Sequence, residues 1–399
     1  MTWPSTRLAD LCEVITKGTT PTTIGFDFSD RGVPFLRVQN IDGGSVNYER
    51  ETLFIDERTH KALGRSQIWP GDVLVSIAGT IGRSGVVPQN APPLNCNQAV
   101  AIVRTNGSVF QPFLRHWLES SNAQAQMHGA TVTGTISNLS LTQIGNLRIP
   151  LPPLEKQRWI AEILDRAEAL RAKRRGALAQ INTLTQTIFL DLFGDPVSNP
   201  KGWPQTKLGG LIASGPQNGL YKPAHDYGSG TAILRIDSFY DGVVTGFTDL
   251  KRVQISDQER ELYCLHGGDI VVNRVNSMEY LGKSALIPNL EEPTVFESNM
   301  MRFDVDRKLI EPRYLIQFLQ SRLIKIQILN AAKNAVNQSS INQQDVKGFT
   351  INVPPLPLQR EFIRCATAVK KLKIAQQASL NEIDALFAAL QHRAFQRDL

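Results

Sequence analysis

The apolar positions fall into two regimes that alternate along the chain. Residues 1–153 carry short apolar runs broken by Gly, Pro, Asn and Asp. The runs at 33–38, 72–77 and 100–103 have the length and β-branched content of strands. Residues 196–353 repeat that grammar with runs at 233–236, 269–272 and 300–305. Residues 111–120 and 311–329 predict helices, each with Pro in its first turn, where a missing N–H costs nothing. A different regime follows each module. After Pro153, and again after Pro357, about 38 residues run without proline. The first run places Ile160, Ile163, Ala167, Leu170, Ala177, Ile181, Leu184 and Ile188 at steps of three and four. The second places Phe362, Cys365, Val369, Leu372, Ile383, Leu386 and Leu390, with Gln376 and Ser379 interrupting the seam. This spacing predicts two heptad helices, each roughly 57 Å long at 1.5 Å per residue.

The two halves are copies. Trp3-Pro4-Ser5-Thr6-Arg7-Leu8 returns as Trp203-Pro204-Gln205-Thr206-Lys207-Leu208. Phe35-Leu36-Arg37-Val38 returns as Ile233-Leu234-Arg235-Ile236. Pro70-Gly71-Asp72-Val73-Leu74-Val75 returns as Gly267-Gly268-Asp269-Ile270-Val271-Val272. Ile81-Gly82-Arg83-Ser84 returns as Leu281-Gly282-Lys283-Ser284, and Pro153-Leu154 with Gln157-Arg158 as Pro355-Leu356 with Gln359-Arg360. The order is kept and the offset stays near about 200 residues, far too long for a solenoid repeat. The organisation is therefore a first module (1–153), a helix with linker (154–195), a second module (196–353) and a second helix (354–399). One such helix alone would expose its apolar stripe. Two in one chain pair most simply as an antiparallel coiled coil. The fold class is α+β, with two similar β-rich domains and two long helices.

Composition narrows the function classes. The chain has 399 residues and 42% hydrophobic residues, enough for packed cores. No apolar stretch is long enough to span a membrane, and the N-terminus lacks a secretory pattern. A cytoplasmic location without membrane contact is expected. The net charge of +6 is spread over all four segments, so charge permits nucleic-acid binding without arguing for it. Clusters at Arg171, Lys173, Arg174, Arg175 and at Lys370, Lys371, Lys373 read as solvated helix faces or as contacts to phosphate or a partner. Cys12, Cys96, Cys264 and Cys365 form no CxxC pair and read as reduced core residues, and no metal site is expected.

On these residues the chain resembles the specificity subunits of type I restriction–modification systems, over essentially its whole length. The Trp with a Leu five residues on, the Gly-Asp strand, the Gly-Arg/Lys step and the Pro-Leu…Gln-Arg helix start carry the likeness. Their ordered duplication makes it specific. The resemblance implies that each domain reads one half of a split DNA site. It implies that the paired helices act as spacer and as dock for two methyltransferase (modification) subunits. It also admits two restriction or translocase subunits. No cofactor is then expected in this chain; S-adenosylmethionine, ATP and Mg belong to the partners. Because the modules differ in sequence, the two half-sites should differ. Two modules on a rod could reach major-groove segments roughly 34 Å apart on double-stranded DNA.

Base readout needs Arg and amide side chains; phosphate positioning needs Lys, Arg, hydroxyls and backbone N–H groups. Polar loops at matched places supply the candidates. In the first module they are Lys17, Thr19, Thr20, Arg37, Gln39, Asn40, Thr80, Arg83, Thr133 and Asn138. In the second they are Asn218, Tyr221, Lys222, Arg235, Arg274, Asn276, Lys283, Lys333, Gln338 and Ser339. Residues shared by both copies should support fold or phosphate. Residues that differ, such as Gln39, Asn40, Asn218, Tyr221, Arg274 and Asn276, are the better candidates for reading bases.

Two decoys are set aside. Gly282-Lys283-Ser284 ends like a P-loop, but position 277 is Ser where that loop needs Gly. Pro152-Pro153 and Pro354-Pro355 lack the flanking Asn and aromatic of an amino-methyltransferase motif. No catalytic residues are identified. The rival readings are a methyltransferase or nuclease with a diverged site, and a scaffold that binds protein rather than DNA.

Overall fold

The computed structural model describes residues 3–130, 138–245, 247–334 and 338–396. It divides into two units. One joins Met1–Ala177 to Gln376–Leu399; the other is Leu178–Ala375.

In the first unit a six-stranded sheet runs in the order Cys12–Lys17, Val100–Thr105, Val73–Ser76, Ser84–Val86, Gly44–Val46, Ile41–Asp42. A four-stranded sheet, Leu53–Ile55, Val33–Leu36, Leu94–Cys96, Gln67–Ile68, stands beside it. The second unit repeats the six-stranded order with Ile212–Asn218, Met300–Val305, Ile270–Asn273, Ser284–Leu286, Gly242–Val244 and Phe239–Tyr240. The central strands are buried on both faces, as their unbroken Val and Ile runs require.

The duplicated motifs explain themselves in this frame. The Gly-Asp pair turns the chain into the central strand. Asp72 accepts from Trp69 N at 2.8 Å and pairs with Arg104; Asp269 accepts from His266 N at 2.8 Å and faces Arg302. The Gln of Gln-Arg is a buried clamp. Gln157 accepts from Phe110 N at 2.7 Å and donates to Pro152 O at 2.8 Å. Gln359 does the same with Glu311 N at 2.8 Å and Pro354 O at 2.7 Å. With both ends of the amide used, each clamp ties the start of a long helix to its module.

The long helices are Leu154–Phe193 and Leu356–Gln396. In the first unit Ile160, Ala161 and Leu164 share a core with Phe387, Ala394 and Phe395. In the second, Phe189 and Phe193 share one with Phe362. The opening of each helix therefore packs on the close of the other, and the pair is antiparallel.

Two expectations are corrected. The helix predicted over 311–329 is two helices, Pro312–Leu319 and Arg322–Ala331, because Ser321 takes an extended backbone between them. The heptad seam also lies one residue away from several predicted positions. Leu170, Leu184, Leu372 and Leu386 are 46%, 37%, 44% and 59% exposed. Near the middle of the pair the seam is polar instead. Arg171 Nε donates to Asp384 and Arg174 Nη1 to Gln376, both at 2.5 Å. The Arg171 guanidinium lies 4.2 Å from the centre of the Phe387 ring. Arginine stems supply the apolar contact while their heads find partners. Of the other predicted positions, Ile160, Phe362 and Val369 are buried; Ile163, Ala167, Ile181, Ile188, Ile383 and Leu390 are half-buried.

Candidate nucleic-acid interface

The predicted loops converge in each unit on a segment the sequence reading did not single out. In the first unit it is residues 97–99. Leu94–Cys96 runs parallel to Val33–Leu36 with Cys96 opposite Leu36, so Asn97 follows beside Arg37. Asn97 N donates to Leu36 O at 3.1 Å. Thr19 N donates to Cys96 O at 3.1 Å, and Ile77 N to Ala99 O at 2.8 Å. Leu139 N returns to Ile77 O at 2.9 Å, and Ala78 bridges to Asn138. Gly18 is required by this closeness: a Cβ there would lie 2.1 Å from Asn97 O.

The second unit builds the same junction on residues 297–299. Glu297 N donates to Leu234 O at 3.0 Å, Leu220 N to Phe296 O at 2.8 Å and Arg274 N to Asn299 O at 2.8 Å. Ile341 N donates to Arg274 O at 2.9 Å. Val275–Asn276, Ser339–Ser340 and Lys333–Asn334 form a small sheet, so two predicted loops are paired strands. Gly219 matches Gly18, its Cβ position lying 2.2 Å from Glu297 O. The signal for these hubs was present: Asn97-Gln98 and Glu297-Ser298 stand at matching places before matching strands.

The candidates differ in exposure. Lys17, Gln39, Thr80, Arg83 and Asn138 are exposed in the first unit; Asn218, Tyr221, Lys333 and Gln338 are exposed in the second. Tyr221, 77% exposed, is the most open aromatic ring among the exposed large hydrophobics. Thr19 and Thr20 are half-buried, and the Thr20 hydroxyl bonds to Gln98. Thr133 lies outside the described residues. Ser339 is buried within its strand.

Several candidates are held internally. Asn40 is buried; its amide donates to Asn47 O at 3.0 Å and Arg50 O at 3.1 Å, and accepts from Arg37 N at 2.9 Å. Its side chain shapes the loop. Lys222 is paired with Glu259 at 2.9 Å and Asp226 at 3.8 Å, which holds its amine above the usual lysine range. Arg274 Nη1 donates to Ser298 O at 3.1 Å, and Asn276 Oδ1 accepts from Ser277 N at 2.8 Å. Arg235 Nε donates to Glu297 at 3.2 Å.

The Lys283 side chain faces aromatic rings. Its ammonium is 3.9 Å from the Tyr240 ring centre and 5.4 Å from that of Tyr280, in a cleft of about 370 Å³. Burial there lowers its pKa below the ordinary lysine value. The first unit has a smaller matching cleft of about 290 Å³ that includes Arg83. Among the cysteines, Cys96 is buried and the others are half-buried; burial pushes the Cys12 thiol up to about 12, far from a reactive thiolate.

Comparison with known proteins gives the class. The type I restriction modification DNA specificity domain matches this chain twice, at residues 1–183 and 200–385. The chain therefore belongs to the type I restriction–modification DNA specificity family, with one specificity domain in each half. It is 25% identical over 353 residues to the type I restriction enzyme EcoKI specificity subunit of Escherichia coli, covering 84% of this chain and 75% of the relative. It is equally similar to the StySPI specificity subunit of Salmonella potsdam, over 84% of this chain and 74% of the relative. A solved chain from work on complex assembly and conformational transition of the type I R-M system shares its fold. That chain has TM-score 0.65 and 20% identity, over 100% of this chain and 98% of the other. No described helix is long and apolar enough to cross a membrane.

Proposed function

We propose that each module reads one half of a bipartite, asymmetric DNA site through the loops gathered on residues 97–99 and 297–299. The observation that carries this is the junction itself. The same backbone connections are made twice, while the side chains they present differ: Lys17, Gln39 and Asn138 in one unit, Asn218, Tyr221 and Lys333 in the other. A repeated frame with unlike contents fits two unlike half-sites. Chemistry then resides in partner subunits, which bring S-adenosylmethionine for adenine methylation and ATP with Mg for translocation. Sequencing N6-methyladenine in the native host tests the assignment. Deleting this chain should abolish methylation of one split, asymmetric motif; persistence of every motif would overturn it.

The helices complete the proposal. Leu170 and Leu386 in the first unit, and Leu184 and Leu372 in the second, face water. Apolar area left exposed at matched places in both units fits two docked modification subunits. Leu170→Asp with Leu386→Asp should remove one such subunit from the complex, and Leu184→Asp with Leu372→Asp the other. The melting temperature of the chain should hardly change, because the leucines are already solvated. Native mass spectrometry reads the result; full complexes with both pairs changed would refute the docking surface.

A further inference from the structure

The duplication contains one charge that is balanced in one copy and unbalanced in the other. Arg37 and Arg235 occupy the same register position, one residue past parallel strands that pair Leu36 with Cys96 and Leu234 with Phe296. The residue beside each arginine differs: Asn97 in the first unit, Glu297 in the second. Glu297 binds firmly. One carboxylate oxygen accepts from Ile236 N at 2.7 Å and the other from Arg235 Nε at 3.2 Å. The Arg235 charge is therefore spent inside the module.

Arg37 has no such partner. Its Nη2 donates to the Glu51 carbonyl at 3.2 Å. Its Nε is buried and makes no hydrogen bond, and no carboxylate lies within ion-pair reach of its guanidinium among the described residues. With its charge unpaired and one guanidinium bond to a carbonyl, half-buried Arg37 keeps donor capacity that an acceptor ligand can use. Arg37 stands at the junction where loops 17–20, 77–80 and 97–99 meet, so that ligand would arrive on the face assigned to DNA. Its chemistry is a hydrogen-bond acceptor: a phosphate, or the O6/N7 edge of guanine, which arginine grips in two-pronged fashion.

We propose that Arg37 contacts DNA in the first module alone, and that Glu297 withholds Arg235 from DNA in the second. This rests on the DNA-reading function proposed above. The test uses the full chain in its complex with the modification subunits. The probes are a mixed-sequence duplex for salt titration and a randomised duplex library for site selection. Arg37→Gln should flatten the slope of log affinity against log salt by about 0.9 if the partner is a phosphate. It should erase a preferred guanine from one half-site if the partner is a base. Arg37→Lys should restore the slope in the first case and fail to restore the guanine in the second. Arg235→Gln should alter neither. Glu297→Gln keeps an acceptor for Ile236 N, removes the neutralising charge and should steepen the slope by about 0.9. That gain cannot come from misfolding, so it tests the idea even if Arg37→Gln is unstable. The proposal falls if Arg37→Gln changes neither slope nor selected site, or if Arg235→Gln is as damaging to its half-site as Arg37→Gln. If the unaltered complex selects no sequence at all, the DNA-reading function fails instead.

Discussion

Replacing Phe362 with Ala should destabilise the second unit by about 3–5 kcal/mol, the usual cost of deleting a buried phenylalanine ring. Phe362 is 2% exposed and lies in a cluster with aromatic rings from two other helices. Phe189 and Phe193 come from the close of the first long helix, at centroid distances of 5.5 and 5.7 Å from Phe362. Tyr314, from the short helix Pro312–Leu319, stacks on Phe189 at 5.8 Å and meets Phe193 edge-on at 4.9 Å. The cluster thus joins both long helices to the module at one point. Little else nearby could collapse into the hole, because these rings are held by each other. Folded domains retain only about 5–15 kcal/mol in total, so the loss takes a large share of the unit's stability. Calorimetry should show the melting temperature of this unit falling by on the order of 10 °C. Phe362→Leu, which keeps most of the volume, should lose clearly less. Equal losses for both changes would mean that ring packing is not what holds the helices here.

Much of this architecture was legible in the sequence, because duplication and proline-free length are signals that tertiary context does not erase. Strands at 33–36, 73–76 and 100–105 fall within or beside the predicted runs, since β-branched stretches bounded by Gly and Pro have few alternatives. The helix seam was less legible. The step of three and four selects Leu170 over Arg171 and Leu386 over Phe387, whereas the structure buries the second of each pair more deeply. Arginine can line a seam with its stem, and hydropathy does not see that. The break at Ser321 was also hidden, because the apolar period continues across it.

Among the loop residues, difference between the two copies does not track which side chains are held internally. Asn40 differs from its counterpart Ser238, and difference between copies suggested a base reader. Both side chains do the same work, accepting from the backbone N–H of the preceding arginine, Arg37 at 2.9 Å and Arg235 at 3.1 Å. Two residue types met one local need. Conversely, the identical arginines differ in availability, because what faces them is carried on another strand. Identity between copies reports shared backbone demands; free valence at a site depends on neighbours far away in sequence.

Replacing Arg115 with Ala should destabilise the first unit by about 3–5 kcal/mol, the range for breaking a buried ion network by removing one partner. Arg115 is 3% exposed. It pairs with Glu168 of the long helix at 2.5 Å and with Glu119 at 3.5 Å. Its Nη1 lies 3.0 Å from Nδ1 of buried His116, whose Nε2 is 2.7 Å from Asp165 Oδ1. The guanidinium also lies against Gly44, where a Cβ would displace it. The second unit solves the same position without charge: Ile316 and Gln320 lie against the equivalent Gly242. Arg115→Ile with Glu119→Gln copies that solution and should recover most of the loss, since apolar replacement of a buried network is often neutral or better. The pH dependence gives a second check. Burial already raises the Glu119 carboxyl above its usual range, with Arg115 opposing the rise. A carboxyl raised by folding favours the folded state below its unfolded value and loses that contribution as pH climbs through the folded value. Without Arg115 the rise should grow, so the deficit of Arg115→Ala should shrink as pH falls and Glu119 takes up its proton. Chemical denaturation across that range measures it; a deficit independent of pH would place the loss in packing over Gly44 rather than in the unpaired carboxylate.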